Sequence, residues 1–148
     1  MSILYAKANE INGLVLGTGN KSEIMTGYFT KYGDGGADIL PIGDLYKTQV
    51  KALAKKLKIP QEIIDRAPTA GLWDGQTDEG EIGITYELLD QILYALEKKK
   101  SLSKFPASKV KLVKKMISNS SHKRQLPPIC KIWLHYLLVD SNHFTLAI

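Results

Sequence analysis

The sequence predicts part of an α/β domain, in which helices cover a sheet. Short apolar runs at 14–16 and 39–42 are typical of strands, a glycine turn joins the first run to a helix, and amphipathic helical periodicity follows. A sheet of two short strands alone is only marginally stable in water. The apolar faces of the predicted helices nevertheless need a sheet on which to pack. We therefore expect the other strands of this sheet to lie in polypeptide outside these segments.

Composition limits the class of protein. The chain has 148 residues, of which 44% are hydrophobic and 24% charged, as in one soluble globular domain. No apolar run reaches the ~18 residues of a membrane helix, and the N-terminus lacks the layout of a secretory signal. Cys130 is the only cysteine, which excludes an internal disulfide and a zinc site built on paired cysteines. These features predict a cytoplasmic location and no membrane partner.

The first elements are a helix and two strands. Residues 2–12 predict a helix whose apolar side consists of Ile3, Leu4 and Ala8. The run at 14–16, Leu-Val-Leu, is typical of a strand buried on both faces. A second short strand is predicted at 39–42, where Pro41 indicates a sheet edge or a strand end.

Further helices are predicted from apolar stripes. Asp44 is expected to cap the first of them, whose stripe consists of Val50, Leu53, Ala54 and Leu57. A short helical turn is expected around Ile63. Thr85 begins the next helix, whose stripe consists of Leu89, Ile92, Leu93 and Leu96. Pro106 marks the start of the last, whose inward residues are Val110, Val113, Met116 and Ile117.

The glycine turn at 17–23, Gly-Thr-Gly-Asn-Lys-Ser-Glu, is the first candidate site. Glycines at the carboxyl end of a strand let a ligand approach the backbone, and the helix N-terminus that follows favours an anion. Glu23 could hold Mg²⁺ together with substrate phosphates, or could simply interact favourably with the helix dipole. The pattern leaves both interpretations open.

Three other polar features are candidate sites. Residues 30–38 combine a lysine, two aspartates and three glycines, which suits a polar ligand or a surface turn. Lys47 lies in the first turn of a helix, where an anionic ligand explains a cation better than local stability does, although lysine is common on surfaces. Residues 70–83 form a glycine- and acid-rich loop whose length is usual for functional or mobile loops.

Basic residues are concentrated at 98–131, which contain ten lysines and Arg124 but no acidic residue. Such charge suits a phosphorylated ligand, an anionic membrane or nucleic acid, and equally a solvated helix face. Phe105 is the only aromatic residue there, so base stacking is poorly served and no nucleic-acid partner is expected. His122 is more typical of a surface residue than of a catalyst, and no nucleophile–base pair is evident.

Taken together, these segments resemble the ammonia-dependent NAD synthetases. The resemblance rests on three runs in order: GTGNKSEIMTGYFTKYGDGGADILPIGDLYKTQVKALAKKLKIP, PTAGLWDGQTDEGEIGITYELLDQIL and HKRQLPPICK. It identifies residues 1–132 as the C-terminal portion of that family's domain and leaves 133–148 as an atypical tail. The implied fold is part of a three-layer, Rossmann-like domain of the adenine-nucleotide α-hydrolase type. The segments TKYGDGGAD and GQTDE argue against the related GMP synthetases.

The resemblance implies a ligase that forms a C–N bond in deamido-NAD with ATP, Mg²⁺ and ammonia. The nicotinate carboxylate attacks the α-phosphate of ATP and pyrophosphate leaves. Ammonia then displaces AMP from the adenylated carboxylate to give NAD. No protein nucleophile is needed, because such an enzyme mainly positions two anionic nucleotides and offsets their charge. A cytoplasmic homodimer is expected.

The resemblance also implies residue roles. ATP would contact Thr18, Lys47 and Thr69, and Mg²⁺ would bind Glu23. Deamido-NAD would meet Lys31, Asp38, His122 and Lys123. The catalytic residues that face the reacting groups would be Asp78 and Glu79, from the loop at 70–83.

The family's pyrophosphate-binding SGG-x-DS loop has no counterpart in the 148 residues. We therefore expect these residues alone to be inactive as a synthetase. The alternative functions are a non-catalytic nucleotide-binding fragment and a partner of a full-length subunit.

Overall fold

A computed structural model describes residues 1–130. Its helices are α1 (Ser2–Glu10), α2 (Lys21–Thr26), α3 (Lys47–Lys56), α4 (Gln61–Asp65), α5 (Asp78–Ile82), α6 (Tyr86–Glu97) and α7 (Ala107–Asn119), with a final 3₁₀ turn at Ser121–Arg124. The tail predicted at 133–148, and the last two residues of the predicted domain, lie outside the described residues. Every helix of the described range is too short or too polar to span a membrane.

Two chain segments pair in parallel, as the α/β prediction requires. Leu16 forms a parallel bridge with Ile39, and the Gly17 N–H donates to the Ile39 carbonyl oxygen at 2.8 Å. The strand predicted at 39–42 is wrong beyond Ile39, because a turn begins at Pro41 and ends the pairing.

The run at 14–16 is covered on one face only, so the prediction of burial on both faces is wrong for the described chain. Val15 is 6% exposed, whereas Leu14 and Leu16 are 62% and 63% exposed. Alternate side chains of a strand point to opposite faces, which places both leucines on the uncovered face. α1 is likewise covered on one side: Ala8 is buried, but the other two residues of its predicted stripe, Ile3 and Leu4, are exposed.

α3 differs from its prediction at both ends. Asp44 is not its cap: the helix begins at Lys47 after the N-cap Tyr46, and the Asp44 carboxylate instead accepts from Lys21 Nζ at 2.9 Å. At the other end Leu57 is the C-cap and is exposed. No residue of α3 is fully buried, because the helix lies at the surface of the described chain and packs mainly on α6 and α4.

The core is built around α6. Leu89, Ile92 and Leu93 are 0% exposed, as is Val113 of α7, so the predicted stripes of both helices are confirmed. Thr85 is the N-cap of α6, as predicted. The remaining buried members of this core are Tyr46, Ile82, Ile84, Tyr86, Ala95 and Phe105. Full burial of one large apolar side chain stabilises the fold by about 1.5–3 kcal/mol.

The segment at 70–83 is not a loop throughout, in contrast to its prediction. Its second half is α5, which begins after Thr77, whose Oγ1 accepts from the Gly80 N–H at 3.2 Å. Gly83 ends the helix in the left-handed conformation. The short helix gives Asp78 a fixed position, which a loop would not.

The C-terminal ends of α2 and α7 meet at Gly27. This residue is the C-cap of α2 with φ of 71°, a conformation that glycine adopts without steric cost. A β-carbon here would collide with the Ser120 side chain at the end of α7. The close approach of the two helix ends therefore also requires glycine.

Candidate functional site

The candidate site begins where the chain leaves the parallel pairing. Gly17 is favoured there, since a β-carbon would lie 2.7 Å from the Ala37 Cβ, which no side-chain rotation can move away. Asn20 then caps α2: its Oδ1 accepts from the Glu23 N–H at 3.1 Å, and Glu23 Oε2 accepts from the Asn20 N–H at 3.0 Å. This reciprocal capping box fixes the Glu23 carboxylate at the start of the helix.

Lys47 faces Glu23 across the space between α3 and α2. Its Nζ lies 3.0 Å from Glu23 Oε1 and 5.2 Å from the centre of the Tyr86 ring. Both charged side chains are mostly buried, at 21% and 17% exposed. An ammonium between a carboxylate and an aromatic face is held electrostatically from both sides. Within residues 1–130 the anion that compensates Lys47 is therefore Glu23.

Asp90 and Ser22 tie the start of α3 to α2 and α6. Asp90 is 5% exposed and accepts a short hydrogen bond from Ser22 Oγ. Its other oxygen accepts from the Thr48 N–H at 2.8 Å, while Ser22 Oγ accepts from the Lys47 N–H at 2.9 Å. These bonds pair two backbone N–H groups in the first turn of α3. The helix dipole in turn stabilises a negatively charged side chain, here Asp90, beside that turn. The bonds set the backbone position from which Lys47 extends.

Asp78, at the start of α5, is held by two tyrosines. Its Oδ1 accepts from the Tyr28 hydroxyl at 3.3 Å and its Oδ2 from the Tyr86 hydroxyl at 3.1 Å, and the residue is 5% exposed. Glu79 points elsewhere: its Oε1 accepts from the Tyr86 N–H at 2.8 Å, at the first turn of α6. Of the two predicted catalytic carboxylates, Asp78 is thus the one fixed between aromatic hydroxyls.

Protonation states in this network follow from burial and from neighbouring carboxylates. Burial raises the pKa of Tyr86 strongly, and the charges of Glu23 and Asp78 raise it further. Burial likewise raises the pKa of Tyr28, followed by its hydrogen bond to Glu81. Both phenols therefore remain protonated donors at neutral pH. The Gln76 amide, and then Tyr28, lower the pKa of Glu81 by donating to it.

A cavity of about 980 Å³ connects these elements. Six of the predicted site residues line it: Thr18, Glu23, Lys47, Thr69, Asp78 and Lys123. Its other polar lining includes Lys51, Arg66, Gln76 and Glu81, and its apolar side includes Val50, Ala54, Ile59, Ile63 and Leu72. A concave site lined by both cationic and apolar side chains suits a ligand that carries both phosphates and rings.

The other four predicted residues, Lys31, Asp38, Glu79 and His122, do not line this cavity. Lys31 Nζ donates to the His122 carbonyl oxygen at 2.7 Å, which brings these two residues together. The Asp38 carboxylate accepts from the Val15 N–H at 2.8 Å and from the Tyr5 hydroxyl at 3.2 Å. Their roles toward a substrate stay predictions.

The basic 3₁₀ turn docks against the end of α2. Lys123 Nζ donates to the carbonyl oxygens of Gly27 and Phe29 at 2.8 and 2.6 Å. The Arg124 guanidinium donates to the carbonyl oxygen of Met25 at 2.9 Å and to that of Ile117, at the end of α7, at 2.7 Å. Cations at helix C-termini satisfy orphan carbonyls and interact favourably with the helix dipole. This docking holds Lys123 in the cavity wall.

Several residues of the site were not predicted from the sequence. Tyr28 and Tyr86 occupy apolar positions by pattern, so only their hydroxyl groups could have suggested a role. Asp90 follows Leu89 but does not belong to the apolar stripe of α6, so the periodicity of the helix does not reveal its burial. Nothing in the sequence besides the polarity of Arg66 and Gln76 indicates that these residues line the cavity.

Comparison with known proteins identifies the family to which the chain belongs. The model of the family described as NAD synthase matches residues 1–127, which include every predicted site residue. The chain belongs to the NAD synthase family. The resemblance found in the sequence is confirmed, and it favours the NAD over the GMP synthetases.

Individual members of the NAD synthase family agree. The chain is 53% identical over 132 residues to the NH(3)-dependent NAD(+) synthetase of Archaeoglobus fulgidus and 51% identical over 139 residues to that of Sulfurisphaera tokodaii. Each match covers 89% of this chain, but 52% and 50% of the respective relative. The chain thus spans about half the length of the curated relatives that it matches.

Solved structures of the NAD synthase family confirm the predicted fold class. An NMN synthetase from Francisella tularensis is similar over 88% of this chain, with a TM-score of 0.78 and 43% identity. An NH3-dependent NAD synthetase from Campylobacter jejuni, in complex with the nitrate ion, also covers 88% of it, with a TM-score of 0.71 and 33% identity. The chain covers 52% and 51% of those chains.

Proposed function

We propose that this chain provides the ATP- and magnesium-binding part of an ammonia-dependent NAD synthetase. The reaction is the ATP-dependent amidation of deamido-NAD through an adenylated carboxylate. The observation that carries the proposal is the convergence of Thr18, Glu23, Lys47, Thr69 and Asp78 on one cavity, although they are spread over much of the sequence. Lys123 completes this set.

The triphosphate is bound by the cations that line the cavity. These are Lys47, Lys51, Arg66 and Lys123, which offset the charge of the phosphates. Such compensation is needed because the nucleophile is itself a carboxylate, which the phosphates of ATP repel. A phosphate oxygen can replace Glu23 as the partner of Lys47, which frees a Glu23 oxygen.

Glu23 fits a magnesium ion by its chemistry. Mg²⁺ is usually bound by one or two carboxylates, with water and substrate phosphates completing its coordination. Within residues 1–130 no three histidine, cysteine or acidic side chains gather into a metal site. The chain would therefore contribute Glu23 and the nucleotide the phosphate oxygens. When bound, the ion offsets the charge that develops on the pyrophosphate.

Asp78 serves the second half of the reaction. Ammonia must lose a proton as it forms the amide, and a fixed carboxylate can accept that proton. Tyr28 and Tyr86 hold both Asp78 oxygens in place. Glu79 of α5 supports this arrangement by accepting from the Tyr86 N–H at the start of α6. Lys31, Asp38 and His122 serve the dinucleotide beside the cavity.

A homodimer with no nucleic-acid partner is part of the proposal. The basic stretch supports the absence of a nucleic-acid partner, because three of its cations are engaged within the chain. Lys109 donates to the Gly83 carbonyl oxygen at 2.6 Å, and Lys123 and Arg124 bind carbonyl oxygens at the end of α2. Lys109 and Arg124 lie outside the cavity lining and are thus engaged with carbonyl oxygens rather than free for the phosphates of a nucleic acid.

A second candidate function is NMN synthesis, since the Francisella tularensis structure described as an NMN synthetase has a TM-score of 0.78 to this chain. The two functions are distinguished by a competition assay, in which the mononucleotide acid and the dinucleotide acid are supplied together as substrates. Preferential amidation of the dinucleotide supports the first proposal.

The activity test combines the 148 residues with the part of the Archaeoglobus fulgidus relative that this chain does not match. NAD is measured by chromatography after addition of deamido-NAD, ATP, Mg²⁺ and ammonia. We expect turnover only from the mixture, and a Glu23→Gln variant should slow it at least about tenfold and shift the Mg²⁺ titration to higher concentration.

Glu62→Gln, an exposed change on α4 outside the cavity lining, is the matched control and should keep the parent titration. An unchanged titration for Glu23→Gln would assign Glu23 to helix capping alone. ATP binding without any turnover would favour the non-catalytic nucleotide-binding fragment.

A further inference from the structure

We propose that Asp90 and Ser22 are positioning residues of the ATP site. They set the separation between the Lys47 ammonium and the Glu23 carboxylate. Neither of the two lines the cavity, so they act through these charged residues and do not touch the ligand. The inference rests on the proposed function, because ATP and Mg²⁺ are the ligands whose binding it explains.

The start of α3 depends on groups from other helices. Its N-cap residue, Tyr46, makes no side-chain capping hydrogen bond. The Lys47 N–H donates instead to Ser22 Oγ of α2 at 2.9 Å, and the next donor, the Thr48 N–H, bonds Asp90 Oδ2 of α6 at 2.8 Å. Helix ends without caps fray, so these two acceptors determine where α3 begins in space.

Asp90 itself is held firmly. It is 5% exposed, and its second oxygen accepts a short hydrogen bond from Ser22 Oγ, a residue that is 0% exposed. Within residues 1–130 no cationic side chain forms a salt bridge with Asp90. Burial of a carboxylate without such a partner is unfavourable, and hydrogen bonds and the N-terminal end of the α3 dipole offset it here. Asp90 therefore makes a contact that an apolar residue of similar size could not make.

The bonded groups are next in sequence to the two charges of the cavity. Ser22 precedes Glu23 in α2, and Thr48 follows Lys47 in α3. Lys47 Nζ lies 3.0 Å from Glu23 Oε1. A nucleotide with Mg²⁺ uses both charges together, the ammonium on a phosphate and the carboxylate on the ion. A displacement of about 1 Å between such groups weakens their joint action strongly. The bond between Asp90 and Ser22 thus keeps the two helix starts in register.

The test compares ATP binding with and without Mg²⁺, by isothermal titration calorimetry on the 148-residue chain. The ratio of the two dissociation constants, called the Mg²⁺ ratio below, measures how well Glu23 and Lys47 act together. Asp90→Ala should weaken binding of ATP with Mg²⁺ at least about tenfold and bring the Mg²⁺ ratio close to one, because the start of α3 loses its fixed position. Ser22→Ala removes a smaller group from the same contact and should act in the same direction. It keeps the test decisive if Asp90→Ala does not fold.

Asp90→Asn is the rescue variant. Its amide oxygen can accept from the Thr48 N–H, and its amide nitrogen can donate to Ser22 Oγ, so the contact is kept without the charge. We expect an ATP affinity and an Mg²⁺ ratio within about threefold of the parent.

Val113→Ala is the matched control for lost stability. Val113 is 0% exposed in the core and lies outside the cavity lining. The substitution should lower the unfolding temperature, because it leaves a cavity in the core. It should change the Mg²⁺ ratio less than about twofold, because the residue makes no contact with the start of α3.

Nuclear magnetic resonance tests the positioning without any nucleotide. Hydrogen-bonded ammonium protons of a mostly buried ion pair exchange slowly with water, and Lys47→Met assigns the Lys47 signal. We expect this signal in the parent, in Asp90→Asn and in Val113→Ala. It should be lost in Asp90→Ala and in Ser22→Ala.

Three results would overturn the positioning role: a parental Mg²⁺ ratio in Asp90→Ala and Ser22→Ala, an equal loss of that ratio in Val113→Ala, or an Asp90→Asn variant as weak as Asp90→Ala. The first of these, with ATP still bound, would keep the proposed function. A parent chain that binds no ATP would refute the proposed function instead. The Lys47 signal then decides the positioning role: its loss in Asp90→Ala supports the role, and its persistence there overturns it.

Discussion

The leucines of α6 and those at 14–16 have the same side chain but different surroundings. Leu89 and Leu93 are 0% exposed between α7 and the helices that precede α6, while Leu14 and Leu16 are more than three-fifths exposed. Both sets are equally apolar by pattern. An apolar pattern therefore indicates which residues need to be buried. It does not indicate which part of the polypeptide packs against them.

The largest expected effect tests this contrast directly. Leu93→Ala should lower the free energy of unfolding by about 2–5 kcal/mol, because it leaves a cavity in the core. Leu16→Ala should change it by less than about 0.5 kcal/mol in the isolated chain, because the side chain is already in water. Urea unfolding followed by circular dichroism measures both. Equal losses would contradict the assignment of Leu16 to an uncovered face.

A smaller effect is expected where the core meets the cavity. Tyr86→Phe keeps the ring beside Lys47 but removes the hydroxyl that donates to Asp78, which should destabilise the chain by about 1–3 kcal/mol. Tyr94→Phe is the control, because Tyr94 is 42% exposed and its hydroxyl accepts only a 3.4 Å bond from Lys100. The same urea experiment applies. A Tyr86→Phe variant as stable as the control would show that the Asp78 contact contributes nothing.

The smallest effect concerns a surface carboxylate at the end of α6. The hydrogen bond from the Tyr46 hydroxyl, and then that from Lys21, lower the pKa of Glu97 from 4.5 to about 2. A lowered folded-state pKa stabilises the chain above pH 4.5, and this stabilisation is lost as the pH falls from 4.5 through 2. Glu97→Gln should therefore flatten the acid side of the stability profile in that window.

Urea midpoints measured across the acid range check this expectation. Glu62→Gln, which removes an exposed carboxylate with no hydrogen bond to another residue of 1–130, should keep the steep acid side. A steep profile in the Glu97→Gln variant would mean that other carboxylates control the acid sensitivity.

The contrast also explains how much of the fold could be predicted. α6 and α7 follow from sequence because their stripes are long and periodic and their partners lie within the chain. Asp44 was a reasonable cap by residue type, but its pairing with Lys21 is a tertiary contact that no local pattern shows. α5 is a short helix in a glycine-rich segment, so periodicity had too few residues to detect it.

For the site, the family resemblance predicted six residues that line the cavity. The residue types of the candidate segments predicted a polar ligand. The tyrosine network could not be predicted, because Tyr28 and Asp78 are 50 residues apart in sequence. The docking of Lys123 on the end of α2 could not be predicted either. Its partner is a backbone carbonyl oxygen, and since every residue has one, the sequence gives no signal for the contact.

The bonds from the 3₁₀ turn to the end of α2 have a consequence for the order of folding. They join residues 94–100 positions apart, so they are among the most distant contacts along the chain. Contacts of such separation form late, because a long loop must close first. During synthesis this wall of the cavity stays incomplete until Lys123 and Arg124 have left the ribosome. A nascent chain can form α2 and α6 early, but this wall of the cavity closes only after Lys123 and Arg124 have emerged.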